Sequence, residues 1–577
     1  MSTATKTPPA GSRNRNLALQ RRIDAAQGRI PCDLVLKNAR YLDVFSCVFR
    51  EGDLGIIDGT IVGLEPGLRG AREIDLRGRH VVPGFIDAHV HVESSLMVPS
   101  HFDGAVLRCG TTSAICDPHE LANVQGASGI QYFLDAAERM NLDLHVMLSS
   151  CVPATHMETN GGGTITAEAL LALSKHPRAL GLAEMMNMPG VLHKDEDILA
   201  KLEGFADSVI DGHCPLLKGQ ALSAYAAAGV ASCHESSELE EAREKLTKGI
   251  SVWIREGSVA KDLDALVPLL DLATSTTLGF CTDDRNPYDI AQEGHIDHLV
   301  RASIRHGVAP EVAYRAASWS VARHYGLNRG SGLSRARVGA IAPGYGADLV
   351  ILDDLVSTGI HAVLKSGRLV HELERTHATA AAFTNSIRAT RVQARDLEGP
   401  SGQVHVIDVI EGKIITGRSV RAHDAEGVSR LTVLERYGQG SKPANAYASG
   451  FGRLRGAIAS SVGHDSHNLI AVGGNTEDMR VALAALAESG GGFCVVAKGE
   501  VLEILPLPLG GLMSDQEPAQ LKDRIDGLKK ASRSIGCALH EPFLQLAFLS
   551  LPVIPSLKLT DKGLVDVDQF KVIAVQA

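Results

Sequence analysis

From Pro83 to about His324, short apolar runs alternate with stretches of helical periodicity, and eight of the runs end near His91, Asp117, Ser149, Met185, His213, His234, Ile254 and Asp283. Strands that alternate with helices build parallel sheets, because each return to the same edge needs a crossover. Eight such units predict a (β/α)8 TIM-type barrel. On both sides the period changes. Residues 33–76 hold short strands in DLVLKNARYLDV, GDLGIIDGTIVGLEPG and AREIDL, with turn signals at Asp58-Gly59 and Pro66-Gly67. Strands of the same kind return in GYGADLVILDD and HAVLKSGRLV (344–354 and 361–370), so a small β-sandwich is expected to draw on both flanks of the barrel.

Beyond about Thr376 the pattern predicts an α+β domain. Its strands lie near HVIDVIEG, SRLTVLERY, HNLIAVGG and GGFCVVAKG, and a helix over 477–489 is ended by Gly490 to Gly492. The expected divisions are an N-terminal extension (1–32), the sandwich (33–82 and 338–375), the barrel (83–337) and the C-terminal domain (376–577). Pro8, Pro9 and Gly11 predict a disordered start, followed by a short helix over 16–27.

Composition narrows the function. A chain of 577 residues with 45% hydrophobic content can bury several cores. Its net charge of -10 disfavours nucleic acid and anionic membranes, which need a basic surface. The N-terminus lacks the apolar core of a signal peptide, and no apolar run approaches the roughly 20 residues of a membrane span. Ten cysteines are scattered with no CxxC pair, which reads as reduced core thiols and a cytoplasmic protein.

Candidate chemistry starts in VVPGFIDAHVHVESS (81–95). Side chains on a strand alternate faces, so His89 and His91 point the same way and form a chelate suited to zinc, iron or manganese. Taken alone, the pair reads equally as core or surface histidines. A parallel barrel carries its active site at the C-terminal ends of its strands, however, and single polar residues end later runs: Glu184, His213, His234 and Asp283.

This order of ligands resembles the amidohydrolase superfamily. CDPHE (116–120), AEMMNMPGV (183–191), TDDR (282–285) and PLPLGGLMS (506–514) make the resemblance narrower, to the adenine deaminases, over about 33–514. The resemblance implies two divalent cations per chain, manganese or iron with zinc also accepted. His89, His91 and Asp283 would hold one, His213 and His234 the other, and Glu184 would bridge them. It implies that a metal-bound hydroxide adds to C6 of adenine, releasing hypoxanthine and ammonia in purine salvage. Asp283 is then the first proton acceptor, Glu120 or His119 protonates N1, and Asp284 and His119 contact the purine. A homodimer or larger homo-oligomer is implied as well.

Two positions depart from common superfamily patterns. Glu184 stands where most binuclear members carry a carboxylated Lys, and Leu216 stands where many deaminases carry a Glu after the fifth-strand His. Glu184 argues against the alternative of a cyclic-amide hydrolase of the dihydroorotase or hydantoinase type. The absence of PCxxC separates the chain from zinc deaminases of nucleic acid. Four features carry structural expectations of their own. ETNGGGT (158–164) lacks the rest of a phosphate loop and is expected to be a mobile loop over the pocket. Glu120 is expected to end the second strand segment, with a helix N-cap and first-turn role for Asp117 and Glu120 as the alternative. Glu235 and Glu238 are expected to be solvated charges. SVGHDSHN, with His464, Asp465 and His467, is a second metal-like cluster that reads alternatively as an ordinary loop.

Overall fold

The computed structural model describes residues 10–330, 336–376, 383–384 and 386–577. Pro8 and Pro9, where a disordered start is expected, lie outside the described residues. Gly11 is helical, because the first helix spans Ala10–Ala26 rather than starting at Asn16.

Each of the eight central apolar runs is a strand: β1 (Phe85–Val90), β2 (Thr111–Cys116), β3 (Asp143–Leu148), β4 (Ala179–Met185), β5 (Val209–Gly212), β6 (Ser232–Cys233), β7 (Ser251–Arg255) and β8 (Leu278–Cys281). They form two parallel sheets, one ordered β5-β4-β3-β2-β1 and the other β6-β7-β8. Every residue of β1, β2 and β8 is buried, which is why these segments read as continuous apolar runs instead of alternating ones. Backbone contacts join the two sheets at both edges. Val90 bridges Asp283 in parallel fashion, and the Ala231 N–H donates to the Ile210 carbonyl at 2.9 Å.

A third sheet gathers residues from before and after these strands. His80–Pro83 lies between Leu349–Asp354 and Cys32–Asp43, so the chain leaves this sheet at β1 and returns to it more than 250 residues later (349 − 90). Asp58 and Gly59, both at positive φ, make the tight turn between Val48–Ile57 and Thr60–Gly63. Lys365 ties this sheet to the parallel strands. Its buried Nζ lies 2.6 Å from Asp348 in the flanking sheet and 2.6 Å from Asp143 at the start of β3.

The C-terminal region is built on an eight-stranded sheet running from Thr416–Ala422 at one edge to Glu500–Pro506 at the other. The helix Thr476–Ser489 packs on it through Met479, Ala482, Leu483 and Leu486. Asn475 caps the start by accepting from the Asp478 N–H, and Gly490, at φ 79°, ends the helix. PLPLGGLMS ends against the segment after β1: the Ser514 N–H donates to the Leu96 carbonyl at 2.8 Å, and Met97 bridges Ser514. No described helix is long and apolar enough to cross a membrane.

Removing one partner of a buried ion pair leaves the other charged and desolvated, which costs roughly 3 kcal/mol or more. Lys365→Met is therefore expected to lower stability by about that amount. A urea midpoint unchanged from wild type would show that Lys365 carries no such load.

Candidate active site

The C-terminal ends of the parallel strands bring six of the expected donors together. His89 and His91 leave β1 with their Nε2 atoms 3.0 Å apart. The His91 Nδ1–H donates to the Asp117 carbonyl at 2.9 Å, which leaves its Nε2 as a lone pair facing the centre. Glu184, near the end of β4, spans both histidine pairs. Its Oε1 is 3.5 Å from His89 and 3.3 Å from His91, while its Oε2 is 2.7 Å from His213 Nδ1 and 3.2 Å from His234 Nε2. Asp283 Oδ1 lies 3.2 Å from His91 and 3.7 Å from His89.

Donor atoms at these separations are the edges of coordination polyhedra with bonds of roughly 2.0 to 2.2 Å. Glu184 Oε1 and His213 Nε2 are buried without a hydrogen-bond partner. Buried polar atoms are ordinarily satisfied, so an orphaned carboxylate oxygen within 3.5 Å of the His89 and His91 imidazoles fits a divalent cation. The residues present thus suit the group that the sequence implied, and several triads of them lie within reach of a single ion.

Asp283 sits at φ 53°, a left-handed conformation that non-glycine residues rarely adopt. The bend sets Asp283 and Asp284 side by side on the pocket wall, where Asp284 accepts from the Ser94 hydroxyl. Burial, reinforced by the neighbouring Asp283, raises the Asp284 carboxyl above its ordinary range.

Glu120 does not end a strand. After β2 the chain turns at Asp117-Pro118, Pro118 takes the N-cap position, and His119 and Glu120 form the first turn of the helix His119–Gln125. The first-turn alternative therefore describes Glu120. Asp117 does not cap; it accepts from Ser149 and lies 3.2 Å from His119 Nδ1. The metal-like cluster of the C-terminal region closes over these residues. His464 Nδ1 is 2.7 Å from Glu120 Oε1, His467 Nε2 contacts Glu120 Oε2, and Asp465 Oδ1 is 3.5 Å from His119 Nε2. Burial pushes the Glu120 carboxyl up, but His464, His467 and His119 outweigh it and hold the group well below the usual range. Burial lowers His464, yet Glu120 and Asp284 carry it to about 9.

Glu235 corrects another expectation. It is 5% exposed, and its carboxylate pairs with Arg255 at the end of β7, Nη2 to Oε2 at 3.1 Å. The same guanidinium holds Asp283 Oδ2 at 2.9 Å and Asp262 at 2.8 Å. Glu238 is exposed as expected, 3.2 Å from Lys218. The segment 158–164 lines no part of the pocket. The N–H groups of Gly161 and Gly162 donate to the Asn123 carbonyl, and that of Thr159 donates to Asp561.

The pocket is completed by apolar side chains that sequence reading missed: Met186, Ile414, Phe548 and Leu551. Three of them come from the C-terminal region, far from any motif. Arg255 did leave a signal, since it ends the apolar run SVWIR just as the donors end theirs.

Residues 80–370 match the amidohydrolase family, and residues 409–571 match the adenine deaminase C-terminal domain. The adenine deaminase of Cereibacter sphaeroides is 49% identical over 569 residues, covering 96% of this chain and 98% of its own. The chain belongs to the adenine deaminase family of amidohydrolases. Adenine deaminase 1 of Rhizobium etli is 46% identical, covering 96% of this chain and 99% of its own. That of Rhizobium meliloti is 47% identical with the same coverage.

For this adenine deaminase family member, Glu184→Gln replaces a carboxylate that reaches both histidine pairs with a neutral amide. The expected result is a folded protein, by circular dichroism, with at least tenfold less bound metal after dialysis. Wild-type metal content in that variant would count against Glu184 as the central donor.

Proposed function

We propose that the protein converts adenine and water to hypoxanthine and ammonia as a step of purine salvage. The observation that carries this reading is the placement of the Glu184-centred donor set and the Glu120–His464 pair in one pocket. The relatives named adenine deaminase, which match almost the whole chain, support it.

In this reading the two parallel sheets, joined at Val90–Asp283 and Ile210–Ala231, act as one closed eight-stranded barrel. The domains are those expected from sequence, with 33–82 and 338–375 as a sandwich beside the barrel and 376–577 as the C-terminal domain. His89, His91 and Asp283 would hold one cation and His213 and His234 a second, with Glu184 available to both. Manganese or iron fits these ligands, and zinc is accepted too. The chemistry such cations would supply is acidification of water, giving a nucleophile at neutral pH.

The remaining steps belong to the chain. Asp283, anchored through Oδ2 by Arg255, receives a proton from the attacking water on Oδ1 and delivers it to the departing amine. Glu120 places the second proton on N1, drawing on His464 at 2.7 Å, and the water's other proton restores His464. One water proton thus ends on N1 and the other on ammonia. Asp284, its carboxyl raised above the ordinary range by burial and by Asp283, meets a ring nitrogen, and His119 contacts the purine edge. Met186, Ile414, Phe548 and Leu551 take the ring faces. The protein acts in the cytoplasm on this small molecule, as a homodimer or larger homo-oligomer and without nucleic acid.

Two metal equivalents per chain are expected in active protein, with activity lost on chelation and restored by manganese or ferrous iron. One equivalent at full activity would overturn the paired-cation reading. Adenine should exceed adenosine in kcat/KM by roughly 10⁴-fold, because a ribosylated base leaves edge-binding groups unpaired. Comparable values would sink the free-base assignment. Glu120→Gln should keep its metal while kcat falls by about 10²-fold, the usual worth of a positioned acid. Metal loss in that variant would make Glu120 a ligand instead.

A further inference from the structure

Lys558 has no role in the chemistry above, yet it is fully buried just behind the pocket. It lies on the strand Leu557–Thr560 with no measurable exposure. Among the described residues no carboxylate pairs with it. Its Nζ donates instead to two backbone carbonyls, of Ile414 at 2.8 Å and of Phe548 at 2.9 Å. Both residues line the pocket.

These carbonyls belong to separate segments. Ile414 lies in the loop between the antiparallel strands Gln403–Val409 and Thr416–Ala422, and Phe548 opens the short helix Phe548–Ser550. Their side chains pack with Leu551 and with Val259, from the segment after β7, as one apolar cluster over the barrel mouth. Phe548 also stacks on His464, centroids 4.5 Å apart and planes 12° apart, and Ser550 Oγ donates to the His464 carbonyl at 3.1 Å. A shift of either segment therefore moves the apolar wall and His464 together.

We infer that Lys558 is a positioning residue for the substrate, a buried clamp that fixes Ile414 and Phe548 at the separation that receives the flat faces of a purine. Burying an ammonium without a carboxylate is costly, and cores usually avoid it. Burial pushes the Lys558 ammonium down to about 7. The neutral amine still has two N–H donors, one for each carbonyl, so the clamp works in either protonation state. An apolar side chain of similar length would leave both carbonyls without this donor, so the two segments would lose their common tie.

This inference rests on the adenine reading, and the test separates the two. Steady-state kinetics with adenine would be run on the metal-replete full chain for wild type, Lys558→Gln and Lys558→Met, with metal content and thermal midpoint measured alongside. The donors available to the two carbonyls fall from three to two to none across this series. KM is expected to rise in the same order, by about threefold for Gln and at least tenfold for Met, with kcat within about threefold and metal unchanged. The Met variant leaves two buried carbonyls without their Lys558 donor, so a lowered thermal midpoint is expected beside the KM effect. KM within twofold of wild type in folded Met protein, or a lowered thermal midpoint with KM unmoved, would overturn the assignment. If the Met variant fails to fold, an unchanged KM in the Gln variant overturns it in the same way. A wild-type protein inactive on adenine would overturn the adenine reading and this assignment with it, whereas an active wild type with unaltered variants overturns this assignment alone.

Discussion

A single desolvated carboxylate, that of Glu184, sets the terms for the rest of the molecule. It is 2% exposed and meets five imidazoles, those of His89, His91, His119, His213 and His234, within 2.7 to 3.5 Å. A buried carboxylate without compensating charge or hydrogen bonds is too costly to survive folding. The ends of β1, β4, β5 and β6 and the turn after β2 must therefore converge on one point. Much of the surrounding architecture serves that convergence. The left-handed bend at Asp283 and the Arg255 network with Glu235 and Asp262 hold the opposite side of the same site in place.

The C-terminal domain belongs to this electrostatic unit. Glu120 receives His464 and His467 from it, and the apolar cluster around Phe548 shuts water away from the donors. Excluding water raises the worth of every charge interaction inside. The covering apolar wall and the charged floor thus depend on each other: the floor needs low dielectric to act strongly, and the wall would expose apolar surface if it had no floor to close on.

Sequence legibility divides along the same line. The eight strands and six donors could be read because each is a local pattern, an apolar run ended by one polar residue. Glu235 was misread because its burial depends on Arg255, on the next strand, and nothing near His234 announces that partner. Glu120 was placed one element too early because the turn at Pro118 starts a helix at once. His464, Asp465 and His467 were visible as a metal-like cluster, but their proximity to Glu120 is a fact of packing between domains. Ile414 and Phe548 left no trace, since an apolar residue in a loop looks the same whether it faces a core or a ligand.

The closure of the mouth by the hairpin of residues 403–422 and by Phe548 also has a consequence for synthesis. A ribosome makes β1 through β8 well before it reaches His464, and the clamp at Lys558 comes later still. Chains emerge from the N-terminus and domains tend to fold as units while they do so. The nascent protein therefore presents an acidic, histidine-lined cup open to solvent for as long as the last third of the chain takes to make. During that interval the donors can be reached from solvent without crossing the finished wall.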